Sequence, residues 1–298
     1  MSDDHSIVLV DGYSQIYRSF YAIRGLTNSR GEASNALYGM ARFMLMLNDG
    51  FDAAYGAVAL DKGKPEHRLE LIPEYKATRP PMPDDLRSQL PGIRRWIEAC
   101  GWPILEQDGL EADDIIAGVV SVRDGRSVSI LTHDKDLAQL VRDDVVMLAP
   151  GKKGEMARLD RQGVEDKFGV APEQIVDYLS LLGDSVDNIQ GVSGIGAKTA
   201  AKLLSEFGGI DEVLDELDSV KRDSVRRALR ESAAILERNR DVVRLREELP
   251  EHWEGIESVR RRPADWPALL EIAKDQGFKS LVSTIQKQIE DERNPRLF

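Results

Sequence analysis

Five short apolar runs constrain the fold of this chain more than any other feature of its sequence. They cover residues 7–10, 57–60, 103–106, 128–132 and 145–148 and show almost no polar alternation. A strand with one wet face alternates, whereas a strand covered on both faces reads as continuous hydrophobic sequence. Between the runs lie segments with helical spacing at 34–47, 86–99, 112–122 and 137–141. Strand and helix in alternation predict an α/β fold, a mostly parallel central sheet flanked by helices. From about residue 155 the strand signal stops. Helical patterns then cover 160–168, 172–182, 197–207, an Arg-rich 221–245 and 266–290. The expected organisation is an α/β body over 1–155 and a helical region over 156–298, without repeats or a long linker.

Two classes of protein are excluded early. The first apolar run is preceded by the acidic, polar start Met1-Ser2-Asp3-Asp4-His5 and ends at Asp11, so it is neither a signal peptide nor a membrane span. The single cysteine, Cys100, cannot form an internal disulfide or a cysteine-rich zinc site, and it suits a buried position in a reducing cytoplasm. A formal net charge of -12 argues, taken as a sum, against a polyanionic partner. Its distribution argues otherwise: acids gather at the ends of the apolar runs, while Lys and Arg thicken over 62–95 and 219–262.

In open parallel sheets functional groups collect beyond the carboxyl ends of the strands. Asp11 follows the first run and Asp61 the second; Glu111, Asp113 and Asp114 come shortly after the third, and Asp134 and Asp136 just beyond the fourth. Each group has a bland alternative. Asp113 and Asp114 suit the first turn of a helix, Asp134 and Asp136 a helix cap or an Asx turn, and Asp11 before Gly12 a simple turn. Together, carboxylates converging on one sheet edge repel one another and are costly unless cations neutralise them. Oxygen ligands, with only four His in the chain, select Mg2+ or Mn2+ over zinc. A shared carboxylate cluster is also how two ions clamp the attacking and leaving oxygens of a phosphodiester.

These residues sit in a recognisable series. Val10-Asp11-Gly12 with Arg18, Leu60-Asp61-Lys62, Pro73-Glu74-Tyr75-Lys76-Ala77-Thr78-Arg79-Pro80, Gly109-Leu110-Glu111-Ala112-Asp113-Asp114, Thr132-His133-Asp134-Lys135-Asp136 and Gly183-Asp184-Ser185-Val186-Asp187-Asn188-Ile189 occur in that order. The series resembles the motif set of the bacterial 5′ nuclease family across roughly residues 6–246. The resemblance implies a two-metal hydrolase that cuts DNA near junctions of single and double strand. By position, Asp11, Asp61, Glu111 and Asp113 match the ligands of a first ion. Asp134, Asp136 and Asp184 match a second group, with Asp113 between the ions and Asp114 and Asp187 as additional acids. Leu60 stands where the family usually has an aromatic residue, Gln190 where many members have proline, and His133 where a small residue is common. None of these departures removes a carboxylate.

The resemblance also assigns the cationic segment at 62–95 to a helical arch that admits a single strand. Lys76 and Arg79 match basic residues near the scissile phosphate, and Arg18, two helical turns after Asp11, points back toward the metals. Tyr75 is a candidate for stacking on a base or for plain packing. Any one of these cations, taken alone, reads as a solvated surface charge.

Gly191-Val192-Ser193-Gly194-Ile195-Gly196-Ala197-Lys198-Thr199 is a glycine turn opening an apolar helix. Glycines let backbone approach a phosphate and the helix-start amides face the anion, and the spacing is not that of a Walker loop. It is similar to the family's helix-hairpin-helix element at about 183–210, which grips duplex backbone; a tight helix corner that binds nothing is the alternative. In relatives the turn holds K+ through main-chain carbonyls, and Val192 and Ile195 are the matching positions. Arg222, Arg226, Arg227 and Arg230 either extend the phosphate track or, with Asp223 and Glu231 between them, form a salt-bridged surface.

The expectation is a 5′-3′ exonuclease and flap endonuclease acting on 5′ flaps, nicks or branched junctions. It is expected to be a cytoplasmic monomer without membrane contact. Met1 and the short polar tail after Glu290 suggest a stand-alone protein rather than the front of a longer polymerase. The competing readings are a junction-binding relative without turnover and a nuclease acting mainly on RNA in RNA-DNA hybrids. Residues 250–298 carry no interpretable motif.

Overall fold

The computed structural model describes residues 3–151 and 155–293. Met1 and Ser2 of the acidic start and residues 294–298 of the polar tail lie outside the described residues. Six strands form one sheet: β1 (Asp3–Asp11), β2 (Ala53–Ala59), β3 (Ile104–Leu105), β4 (Ser127–Leu131), β5 (Val145–Pro150) and β6 (Met156–Leu159). Their order is β3-β2-β1-β4-β5-β6. The first five are mutually parallel, and β6 runs antiparallel along the edge beside β5.

Burial on both faces explains the unbroken apolar runs. Ile7 and Leu9 of β1 face one core and Val8 and Val10 the other, and β5 divides its Val145 and Met147 from Val146 and Leu148 in the same way. One face is covered by α2 (Asn35–Gly50) and α5 (Leu90–Ala99), which bury Met40, Met44, Ile93 and Trp96. The other is covered by α6 (Ala112–Ser121) and, beyond it, by the helical region.

That region comprises α7 (Arg161–Phe168), α8 (Ile175–Leu182), α9 (Ala197–Phe207), α10 (Ile210–Asp215), α11 (Asp223–Glu231) and α12 (Ala233–Val243). A two-stranded hairpin, β7 (Gly183–Asp184) and β8 (Ile189–Gln190), separates α8 from α9. The remaining helices of the α/β body are α1 (Gly12–Ala22), α3 (Glu66–Leu71) and α4 (Asp84–Arg87).

Several expectations need correction. Strands do not stop at residue 155, because β6 carries the sheet to Leu159; its residues are half-exposed or exposed, so it lacks an apolar run. Gly12–Ala22 is a helix that the segment reading passed over. The Arg-rich 221–245 is two helices, α11 and α12, broken at Ser232, which is not helical (φ -103°, ψ 4°). The 266–290 segment is likewise α13 (Trp266–Asp275) and α14 (Lys279–Arg293), with Gly277 at φ 70° between them. The expected arch over 62–95 is helical only in α3, α4 and the first turns of α5; residues 73–78 between α3 and α4 form consecutive turns.

The motif-free C-terminal part has a structural role. After α12 the chain crosses back beneath the sheet: the Arg261 N–H donates to the Ala54 carbonyl and the Arg262 N–H to that of Gly101, each at 2.9 Å. Gly101 is required there, since its φ is 82° and a Cβ would lie 1.9 Å from the Arg262 oxygen. The crossing places α13 and α14 on the α2–α5 face, where Leu269, Phe278, Leu281 and Ile285 are buried.

Candidate active site

The strand order reverses direction between β1 and β4, the topological switch point at which open α/β sheets bind ligands. Asp11 ends β1 and Thr132 follows β4, and the Thr132 hydroxyl donates to Asp11 Oδ2 at 2.7 Å. Asp11 Oδ1 accepts from Ser14 N–H at 3.2 Å and so also caps α1. Asp61, two residues past β2, accepts from the first amide of α6, Ala112 N–H, at 2.7 Å. The acids of different elements are thereby tied to one rim by local hydrogen bonds.

They line one open cleft of about 710 Å³. Asp11, Asp61, Glu111, Asp113, Asp134, Asp136, Asp184 and Asp187 all face it, as do Lys76 and Arg79. Asp184 and Asp187 come from the β7–β8 turn of the helical region, which closes the cleft from the side. The opposing cations of the lining are Lys76, Arg79 and Lys135. Lys76 bonds to Glu111, Arg79 to Asp187, and Lys135 Nζ lies 2.7 Å from Asp184 Oδ2.

Eight carboxylates face three cations in the lining, and burial governs the protonation of several of the acids. Burial pushes Asp11 up to about 7, and neighbouring Asp134 and Asp61 add to the shift. Asp136 is likewise raised to about 7 by burial and by Asp134. Burial also raises Asp61 and Asp113. For Glu111 burial is outweighed by Lys76 and Arg68, and for Asp184 by Lys135, so both stay below the usual carboxylate range. A site that disfavours its own charge is one that a divalent cation would complete. The ligand set is all carboxylate: the histidine in the lining, His133, lies 2.8 Å from an Arg18 nitrogen and 3.1 Å from the Pro150 oxygen. Hard oxygen donors of this kind fit a divalent cation. One oxygen from each of Glu111, Asp113 and Asp114 lies within 4.8 Å of the other two.

Three expected site residues are placed differently. Asp114 is fully buried outside the cleft. Its carboxylate takes two hydrogen bonds from Arg68, at 2.6 and 2.8 Å, and one from Arg246 N–H at 2.9 Å. Successive helix residues point about 100° apart, so Asp113 and Asp114 cannot share a direction. Tyr75 is 8% exposed within the core, with its hydroxyl 3.3 Å from Glu111 Oε2 and the Lys76 ammonium 4.9 Å from its ring centroid. Arg18 is exposed at the rim, with its guanidinium 2.8 Å from Nε2 of His133 in the cleft lining.

Other contributors escaped sequence reading. Arg68, one of the cations of the 62–95 segment, is 1% exposed and joins Glu111, Asp114 and the Val242 carbonyl. Nothing in its sequence context distinguishes it from its neighbours. Tyr13 and Tyr17 line the cleft from α1. Their spacing of four on a helix was legible and would have revealed them.

The glycine turn lies between β8 and α9, apart from the cleft. Gly191 packs so closely on the end of α8 that a Cβ would sit 2.0 Å from the Leu182 oxygen. Gly194 has φ 77°, and Gly194 and Gly196 have open space before them. Val192 and Ile195 are buried, with Ile195 N–H donating to the Val192 carbonyl at 3.1 Å. Lys198 is exposed and Thr199 half-buried in the first turn of α9, whose N-cap residue, Gly196, has no capping side chain. The β7–β8 hairpin and this glycine turn together connect α8 to α9, and the turn is pinned to α8 by the Val192 N–H, which donates to the Leu181 carbonyl at 2.9 Å.

Comparison with known proteins agrees with this architecture. Residues 6–169 match the model of the 5′-3′ exonuclease N-terminal resolvase-like domain, and residues 170–266 that of the 5′-3′ exonuclease C-terminal SAM fold. DNA polymerase I of Pseudomonas aeruginosa is 45% identical over 238 residues, covering 79% of this chain and 26% of that protein. The thermostable DNA polymerase I of Thermus thermophilus is 40% identical over 248 residues, 82% of this chain and 29% of that protein. The chain thus spans less than a third of these curated relatives. Among solved structures, the bacteriophage T5 D15 flap endonuclease in a pseudo-enzyme-product complex with DNA and metal ions shares the fold. Its TM-score is 0.66 at 24% identity, over 95% of this chain and 98% of that one. With both family models matched end to end over most of its length, the chain belongs to the 5′-3′ exonuclease family.

Proposed function

We propose that this chain is a metal-dependent 5′-3′ exonuclease and flap endonuclease that hydrolyses DNA phosphodiesters near junctions of single and double strand. The observation that carries this reading is the meeting of eight carboxylates in one cleft at the switch point of the sheet, with Lys76 and Arg79 beside them. Asp11, Asp61, Glu111 and Asp113 would hold a first Mg2+ or Mn2+, and Asp134, Asp136 and Asp184 a second, with Asp113 between them. Two ions so held supply activation of water and stabilisation of the leaving 3′ oxygen. Asp114 acts through Arg68, and Asp187 through Arg79, so both are positioning acids in this reading.

The remaining work falls to the chain's cations and aromatic rings. Lys76 and Arg79 meet the negative charge that builds on the phosphoryl oxygens. Tyr13 and Tyr17 give the cleft an apolar wall beside the acids. The α8–α9 corner, with Gly191, Gly194, Gly196, Lys198 and Thr199, meets duplex phosphates through backbone amides; a K+ ion on the Val192 and Ile195 carbonyls would strengthen that grip. No described helix is long and apolar enough to cross a membrane. The buried thiol of Cys100 suits a reducing cytoplasm, and a monomer suffices for every group named here.

The deciding experiment is a nuclease assay with Mg2+ or Mn2+ on flap, nicked duplex, primer hybrid and single-stranded substrates. Cutting of the flap near its junction supports the reading, and absence of cutting with retained binding would make the protein a junction binder. Faster cutting of the hybrid would favour the RNA reading.

Two further outcomes are expected. Lys76→Ala should lower the single-turnover rate roughly 10²-fold while the dissociation constant measured in Ca2+ shifts far less. The opposite pattern would make Lys76 a phosphate anchor. Raising salt should weaken duplex binding steeply despite the acidic composition, with log K falling linearly in log salt. A flat response by fluorescence anisotropy would remove the electrostatic part of this account.

A further inference from the structure

Lys76 and Arg79 have work toward phosphate in the reading above, but Lys135 does not. It sits in sequence between Asp134 and Asp136, and its ammonium crosses the cleft to Asp184 Oδ2 at 2.7 Å. These are the three acids assigned to the second ion. The pair joins the α/β body to the β7–β8 turn, and it is half-shielded from water, with side-chain exposures of 39% and 20%.

Both ends of the pair are held in place. Asp184 Oδ1 accepts from Val186 N–H at 2.7 Å and from Asp187 N–H at 3.3 Å, so its carboxylate is oriented by its own turn and Oδ2 is the oxygen left for an outside partner. On the other side Asp134 N–H donates to Thr132 Oγ1 at 2.9 Å, and Asp134 Oδ1 accepts from Asp136 N–H at 2.9 Å. Lys135 therefore springs from the middle of a hydrogen-bonded turn, and its reach onto Asp184 needs no rearrangement of backbone.

We propose that Lys135 is a tethered counter-ion of the Asp134, Asp136 and Asp184 group. A divalent ion must displace its ammonium from Asp184 to bind there, and Lys135 thereby sets the affinity of that position. In the metal-free protein the ammonium offsets repulsion among acids brought together from two segments, the turn after β4 and the β7–β8 hairpin. When the ion enters, one positive charge is exchanged for two and the lysine swings to solvent. The pair can serve as an exchangeable partner because it is neither dry nor fully solvated: burial strengthens it, and water remains available to receive the released ammonium. This inference rests on the two-ion reading of the cleft.

The test is calorimetric titration of the DNA-free protein with Mn2+, with near-ultraviolet circular dichroism confirming the fold of each variant. Wild type should bind two ions. Lys135→Met should tighten one of them about five- to tenfold and leave the other within about twofold. Lys135→Arg keeps the charge and the reach, so it should bind as wild type does. Lys167→Met removes a like charge from α7 and should change neither affinity, which separates direct competition from a general field effect. Two ions in the wild type with no tightening in Lys135→Met, or equal tightening in Lys167→Met, would overturn this inference alone. Fewer than two ions in the wild type would overturn the two-ion reading and the inference with it.

Discussion

Asp134→Asn and Asp184→Asn should each reduce flap cutting by roughly 10²–10³-fold or more, while the flap still binds in Ca2+. Asn keeps the shape and one carbonyl oxygen, so the turn that Asp184 makes with Val186 and Asp187 amides survives the change. What is lost is one of the negative charges that the proposed second cation would need. The two variants come from opposite walls, Asp134 after β4 and Asp184 in the β7–β8 turn, yet they should behave alike because they would share one ion. Single-turnover kinetics with anisotropy binding measures both quantities. Normal turnover in either variant would contradict the assignment of that acid, and loss of binding in step with turnover would point to a folding defect instead.

The second large effect is on stability. Arg68→Met should destabilise the protein by about 3–5 kcal/mol, read as a lower urea midpoint at unchanged slope. The cause is the set of partners left behind. Asp114 is fully buried and loses both of its guanidinium hydrogen bonds, and Glu111 and the Val242 carbonyl lose theirs. Removing one member of a buried pair strands a charge, whereas removing both often costs little. Arg68→Met combined with Asp114→Leu should therefore recover much of the loss. A single variant as stable as wild type would mean that Asp114 is neutral or solvated, against its surroundings in the core. Arg68 also ties α3, α6 and the end of α12 together, so its loss should loosen the segment that carries Lys76.

The parallel sheet was legible because its signal is local: strands buried on both faces must be apolar at every position, and each of the five runs coincides with an observed strand at least in part. Strand β6 was missed for the same reason, since an edge strand with exposed side chains writes no hydrophobic pattern. The cleft was legible through the rule that parallel strands present their carboxyl ends together, which brought Asp11, Asp61, Glu111, Asp113, Asp134 and Asp136 to one rim. Asp184 and Asp187 were reached by motif resemblance alone, because no local rule carries a turn of the helical region back to the sheet edge.

What the sequence determined by itself, then, was which residue types stand at the ends of which elements. Periodicity and turn chemistry act over a few residues and can be read along the chain. Which way each side chain points was decided only by packing. Asp113 and Asp114 are chemically identical neighbours, yet one faces the cleft and the other Arg68. Tyr75 and Lys76 are adjacent, yet the ring is buried in the core and the ammonium lies among the acids. Those choices depend on what α3, α6, α12 and the β7–β8 turn bring from distant parts of the chain, and a burial partner more than a hundred residues away leaves no mark on local sequence.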